Sequence, residues 1–175
     1  MARSAASVSP RARRGGGHVN LGRFGAYRLS MSRYAKYIDG LVHEPTQTEG
    51  NGVDLTVAAV HEVTGPGSVD FGGGELEAAA TEPREPERRD PEDEYGWWSL
   101  DPGTYLVAYH ESIPGGDLRF TVQTRDALLE RGAFHPTLRV ASLPRVPLSV
   151  GGAGIRIKEN ARISTVVDAD PIGPA

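Results

Sequence analysis

"NGVDLTVAAVHEV", residues 51–63, opens on an Asn-Gly pair and then alternates apolar and polar side chains. A period of two marks a strand with one face in a core and the other towards water. Asp54 stands at the head of this strand, flanked by Val53 and Leu55, where an ordinary solvent-facing acid is not expected. Two readings of it stand. One is that the carboxylate caps the turn made by the Asn-Gly pair; the other comes only with the family resemblance drawn below.

The same texture recurs along the chain. "WWSL" and "TYLVAYHE" flank the tight turn Asp101-Pro102-Gly103, in which proline presets φ and glycine accepts a positive one. "LRFTVQT", "TLRVASL", "RVPLSV", "GIRIKE" and "ARISTVV" follow as short strands separated by glycine or proline. "RDALLERG" carries the one short-helix signature, with Thr124 as N-cap, Asp126 in the first turn and Gly132 as the stop. "MSRYAKYIDGLV" reads as a short helix or an extended lead-in. Residues 76–96 hold Pro83, Pro86 and Pro91 among a run of acids and read as a solvated loop. Many short strands and one helix make the fold mainly β, a β-barrel or jelly-roll.

The 175 residues suit one domain. The expected divisions are a disordered basic tail over 1–30, a β domain over 31–167 and a C-terminal tail over 168–175. The first 30 residues carry six arginines and no acid, which leaves 13 basic against 23 acidic residues in the remainder, a net of −10. Only Lys36 and Lys158 are lysines. Such an acidic, arginine-using body looks salt-adapted, because brine screens its self-repulsion. It also makes nucleic acid an unlikely partner, the basic tail excepted. That tail has two further readings, a nucleic-acid-binding arm or an upstream translation ahead of a true start at Met31. No run of 18 apolar residues spans a membrane, no apolar stretch follows the N-terminal arginines as a secretory signal would require, and cysteine is absent. A cytoplasmic location is the expectation.

The histidines do not form a metal motif. His43, His61 and His110 each precede a glutamate, yet none makes H-E-x-x-H. The glycine clusters "FGGGE" and "VGGAG" do not match a phosphate-binding P-loop and read as hairpin turns.

Four blocks in order resemble the dUTPase and dCTP deaminase superfamily. "PTQTEGNGVDLTV" looks like its first motif, "LDPGTYLVAYHESI" its L-x-P-G-x-Y-L-V segment, and "RDALLERGAFHPT" its short helix with the H-x-T stretch that follows. "IRIKENARISTVV" resembles its closing strands. The resemblance covers most of 45–167. It implies a distorted jelly-roll that assembles as a homotrimer, with sites where subunits meet. It also implies dCTP or dUTP as ligand, Mg²⁺ on the phosphates, and deamination or diphosphate cleavage as the reaction. By the same resemblance Arg125 binds phosphate, Asp54 supports the site, and Ala127, Thr137, Leu138 and Arg139 line the substrate pocket.

The chain departs from the family where catalysis is carried. Asp126 and Ala127 replace two serines, Glu130 replaces an arginine, and Ala127 has no hydroxyl to orient a water. Residues 131–158 contain no carboxylate, and Ser142 falls roughly where the dUTP-cleaving members have their aspartate. A general base needs a proton affinity poised near neutrality within reach of its water. Asp126 and Glu130, four apart on the expected helix, are the nearest candidates; an acid of a neighbouring subunit, such as Glu111, Asp126 or Glu130, reaching the water position would favour catalysis. The alternative is a non-catalytic nucleotide-binding or structural trimer.

Overall fold

The computed structural model describes residues 34–50 and 52–171. The basic segment 1–30, Met31 and Asn51 therefore lie outside the described residues. Ten strands follow in order: β1 (Val53–Gly65), β2 (Ala80–Arg84), β3 (Trp97–Leu100), β4 (Gly103–Tyr109), β5 (Leu118–Thr124), β6 (Ala133–Phe134), β7 (Leu138–Val140), β8 (Val146–Val150), β9 (Ile155–Lys158) and β10 (Arg162–Pro171). Two four-residue helices accompany them, α1 (Glu44–Gln47) ahead of β1 and α2 (Asp126–Leu129) between β5 and β6. No helix among the described residues is long and apolar enough to cross a membrane.

Eight strands form one curled antiparallel sheet in the order β6-β8-β4-β1-β10-β5-β7, with β2 also paired to β1; β3 and β9 form a separate ribbon. This is the mainly β, barrel-like architecture expected of the sequence. Three local expectations differ. A second short helix, α1, forms because the His43 ring accepts the Thr46 N–H and Pro45 sits in the first turn, where a missing N–H costs nothing. Within the acidic segment 76–96, Ala80–Arg84 pairs with the outer part of β1, although the strand remains largely exposed. β10 runs to Pro171 against β5, past the expected end at 167.

β1 lies at the centre of the sheet. Its first residues pair with β10, and its later ones with β4 and β2. Val53 to Val57 are all buried, so this part of the strand is covered on both faces rather than on one. Val53 and Leu55 join a cluster with Phe120, Val122 and Val166. Val57 and Val60 join a second cluster with Trp98, Tyr105, Val107, Leu148 and Ile163. Register shifts at Leu55/Thr56 and Val57/Ala59 bend the strand between the two. Gly52 allows the approach to β10, since a Cβ there would lie 2.2 Å from the Val166 carbonyl oxygen. Its role is a close contact as much as a turn.

Tyr109 packs against both clusters and begins a buried polar chain. Its hydroxyl meets Ser164 Oγ at 2.5 Å, and Ser164 Oγ meets His135 Nε2 at 2.8 Å. His135 Nδ1 lies 2.8 Å from the Pro136 carbonyl, which can only accept, so Nδ1 carries the proton and Nε2 accepts from Ser164. Burial pushes the Tyr109 phenol up to about 12, against a lowering by the Ser164 bond. Burial likewise lowers the His135 pKa below its ordinary 6.5, outweighing the Pro136 bond that raises it.

The pH dependence of stability follows from that imidazole. The unfolded chain binds a proton as pH falls through 6.5, whereas the folded chain resists it until its lower pKa is reached. Stability is therefore complete above 6.5 and declines below it. Melting temperatures measured between about pH 7.5 and 5.5 are expected to fall in the natural protein and to flatten in His135→Gln. An identical slope in both would show that His135 is not the responsible group.

Candidate functional site

A cavity of about 480 Å³ opens where the head of β1, the end of β5, the start of α2 and β10 converge. Asp54 forms its floor. The β1–β10 register sets it directly opposite Thr165, whose hydroxyl donates to Asp54 Oδ1 at 2.7 Å. Arg125 Nη1 lies 2.6 Å from Asp54 Oδ2, and Arg162 Nη1 lies 3.2 Å from the same oxygen. One largely buried carboxylate is thus held between two guanidiniums, which offsets the cost of removing its charge from water.

Backbone bonds aim Arg125. It is the residue ahead of α2, with φ −73° and ψ 145°. Its N–H donates to the Ile163 carbonyl, and its own carbonyl accepts from Leu128 N–H and Leu129 N–H. Thr124, the expected N-cap, instead bonds the His135 N–H and carbonyl through its hydroxyl and joins β5 to the segment after β6. Each guanidinium meets Asp54 through a single nitrogen, and both line the cavity. A planar cationic fork of this kind suits a carboxylate or phosphate oxygen.

Of the residues singled out in the sequence, Asp54, Arg125, Asp126 and Ala127 come together around the cavity. Thr137, Leu138 and Arg139 do not reach it. Thr137 is exposed, Leu138 packs against the core, and Arg139 pairs with Asp170 at 3.0 Å on the surface. Glu130 also lies off the cavity. It is the C-cap of α2, its N–H bonded to the Asp126 carbonyl, and its carboxylate sits 3.5 Å from Arg131 outside the cavity lining. Glu111 is buried elsewhere, against Thr56 and Gln47. Ser142 is exposed in a bend.

Arg162, Thr165 and Glu49 line the cavity without having been anticipated. A signal existed for Arg162 alone, an arginine at the head of the closing strand "RISTVV". The glycine loop after β1 is no phosphate cradle, because Asp70 already accepts the Gly72 and Gly74 N–H groups. Burial raises the Asp70 pKa, yet bonds from the backbone of residues 72–75 bring it below the ordinary value. Ser164 and His135 touch as a nucleophile and its base would, but Ser164 is wholly buried and no substrate reaches it.

The donor set does not fit a Mg²⁺ held by the protein. Among the described residues, no group of three or more His, Asp or Glu side chains converges. Asp54 is occupied by two guanidiniums and a hydroxyl, leaving Glu49 and Asp126 as the cavity's other carboxylates. Mg²⁺ normally takes an octahedron of oxygens, with one or two carboxylates and the rest from water or phosphate.

No family model matches the chain. It is 31% identical over 102 residues to a probable deoxyuridine 5'-triphosphate nucleotidohydrolase of Methanococcoides burtonii, covering 57% of this chain and 56% of that protein. A protein of the same description from Methanosarcina acetivorans is 31% identical over 136 residues, or 72% of this chain and 74% of its own length. Its counterpart from Methanosarcina mazei is 29% identical over the same shares. The chain thus spans little more than half of the first of these relatives. Among solved structures, the 2'-deoxycytidine 5'-triphosphate deaminase of Agrobacterium tumefaciens shares the fold, with a TM-score of 0.51 and 12% identity. That alignment covers 80% of this chain and 44% of the deaminase. With a relative that similar along three-quarters of its length and the fold in common, the chain belongs to the dCTP deaminase/dUTPase superfamily.

Proposed function

We propose that the protein binds a deoxynucleoside triphosphate, dUTP or dCTP, as its magnesium complex, and acts in deoxyuridine nucleotide metabolism. The observation that carries this is the pair of guanidiniums, Arg125 and Arg162, on one wall of a nucleotide-sized cavity. The cavity lining is otherwise acidic, with Glu49, Asp54 and Asp126, so the metal-complexed nucleotide is better matched to it than the bare polyanion. The related proteins bear names for dUTP hydrolysis and dCTP deamination, and these are the two reactions to test.

The chemistry favours binding over rapid turnover. Residues 131–158 carry no carboxylate, Ala127 cannot orient a water, and Glu130 lies off the cavity. Asp126 is the acid best placed to act as a base, and it is exposed at the rim. A second reading, a non-catalytic nucleotide-binding trimer, draws on the same absence.

Assembly belongs to this proposal. Thr137, Leu138 and Arg139 lie on or beside β7, which among the described residues is an end strand of the sheet with one unpaired edge. A neighbouring copy in a threefold arrangement would cover that edge and set these residues at a second chain's cavity.

Two measurements test the proposal. Incubation with dUTP or dCTP, Mg²⁺ and high salt should give turnover below roughly 1 s⁻¹, and Arg125→Ala should weaken nucleotide binding by about tenfold or more. Turnover at ordinary enzyme rates would overturn the view of a degenerate site, and undiminished affinity in Arg125→Ala would overturn the phosphate assignment. Sedimentation in molar salt should give a trimer at micromolar concentration. A monomer there would refute the assembly.

A further inference from the structure

Gln47 is only 2% exposed although it ends a four-residue helix at the surface. Both ends of its amide are engaged. Nε2 donates to the Asp54 carbonyl at 2.8 Å and to Glu111 Oε1 at 2.7 Å, while Oε1 accepts the His43 N–H at 2.7 Å. Glu111, itself 3% exposed, also accepts the Thr56 N–H at 2.8 Å and the Thr56 hydroxyl at 2.7 Å. It takes part in none of the ion pairs among the described residues. A buried carboxylate held only by neutral donors is an expensive way to pin a helix, where an apolar side chain would suffice for packing.

The elements it joins suggest what it is for. Gln47 grips the backbone of Asp54, and Arg162 Nη1, which contacts the Asp54 carboxylate, also donates to the Thr46 carbonyl at 2.8 Å. Helix α1 is therefore bonded at adjacent residues to the main chain of Asp54 and to one of its two cationic partners. The chain then passes directly into Glu49 and Gly50, which form a wall of the cavity. The position of that wall and the aim of Arg162 share one anchor.

We propose that Gln47 and Glu111 are positioning residues of the nucleotide site: their buried bond fixes α1 so that Arg162 and Asp54 hold the geometry that receives phosphate. The inference rests on the nucleotide-binding reading above. Neither residue touches the cavity, so both act through Asp54 and Thr46. Glu111 is specific to the role, because three donors converge on its two oxygens. The amide of a glutamine there would turn an N–H₂ towards at least one of them.

The test compares Gln47→Met, which keeps the volume and removes the amide, with Glu111→Gln, using Leu148→Ala as a core variant remote from the site. Binding of dUTP with Mg²⁺ is measured well below each melting temperature. Both positioning variants are expected to weaken binding about tenfold, and Gln47→Met should add little further loss in an Arg162→Ala background. Leu148→Ala should lower the melting temperature while leaving affinity within about twofold. Amide exchange at residues 48–50, faster in Gln47→Met than in the natural protein, is the nucleotide-free readout. Should one variant not fold, the other carries the comparison. Natural affinity in Gln47→Met or Glu111→Gln, with loss in Arg125→Ala, would overturn this inference alone. Equal affinity in the natural protein and Arg125→Ala would overturn the nucleotide site and this inference with it.

Discussion

A carboxylate between two guanidiniums joins three distant parts of this chain. Asp54 belongs to β1, Arg125 precedes α2, and Arg162 begins β10. A largely buried acid is tolerable only with partners, and stripping one partner from a buried pair costs about 3–5 kcal/mol in general. The cost here is smaller, because both arginines keep part of their side chains in solvent. It is still enough to make the strand ends, the helix entry and the cavity floor depend on one another.

That cluster is tenable because β1 has two cores to serve. Val53 and Leu55 face one, Val57 and Val60 the other, and bulges turn the strand between them. On the other face of the same strand head, Asp54 and Thr56 are buried with polar partners rather than water. A side chain that would be solvated on a one-sided sheet is thereby enclosed. Asp54 is the shared partner of Arg125, Arg162 and Thr165.

The polar interior divides into two chains with different consequences. Tyr109, Ser164 and His135 link the two apolar clusters and carry no accessible reactive atom. Glu111, Gln47 and Thr56 lie beneath the cavity and touch its floor through the Asp54 backbone. Both sets are hydrogen-bonded, as interior polar groups must be, with Tyr109 half-buried and the other members buried. The second reaches the cavity through the Asp54 backbone, and the first through the His135 main chain, which bonds the hydroxyl of Thr124 in the cavity lining.

Much of the fold was legible in the sequence because its signals are local. Alternation located β4, β5, β8 and β9, and glycine and proline marked the breaks between them. β2 was not legible, since Pro83 and the acids around it read as a loop; only the reach of β1 beyond the core provides a partner. Helix α1 depends on a histidine cap and on Gln47 finding Glu111, 64 residues away. In the site, Asp54 and Arg125 were readable from motifs, and Asp126 and Ala127 from their neighbourhood. Arg162 offered only its place at the head of a strand and Thr165 nothing, because both owe their position to the β1–β10 register, and Glu130 lies off the cavity beside Arg131. The sequence by itself determined strand-forming segments, charge balance and the missing carboxylate. Tertiary structure alone decided which charges meet, since pairing across strands follows from sheet register and burial, neither of which a local pattern encodes.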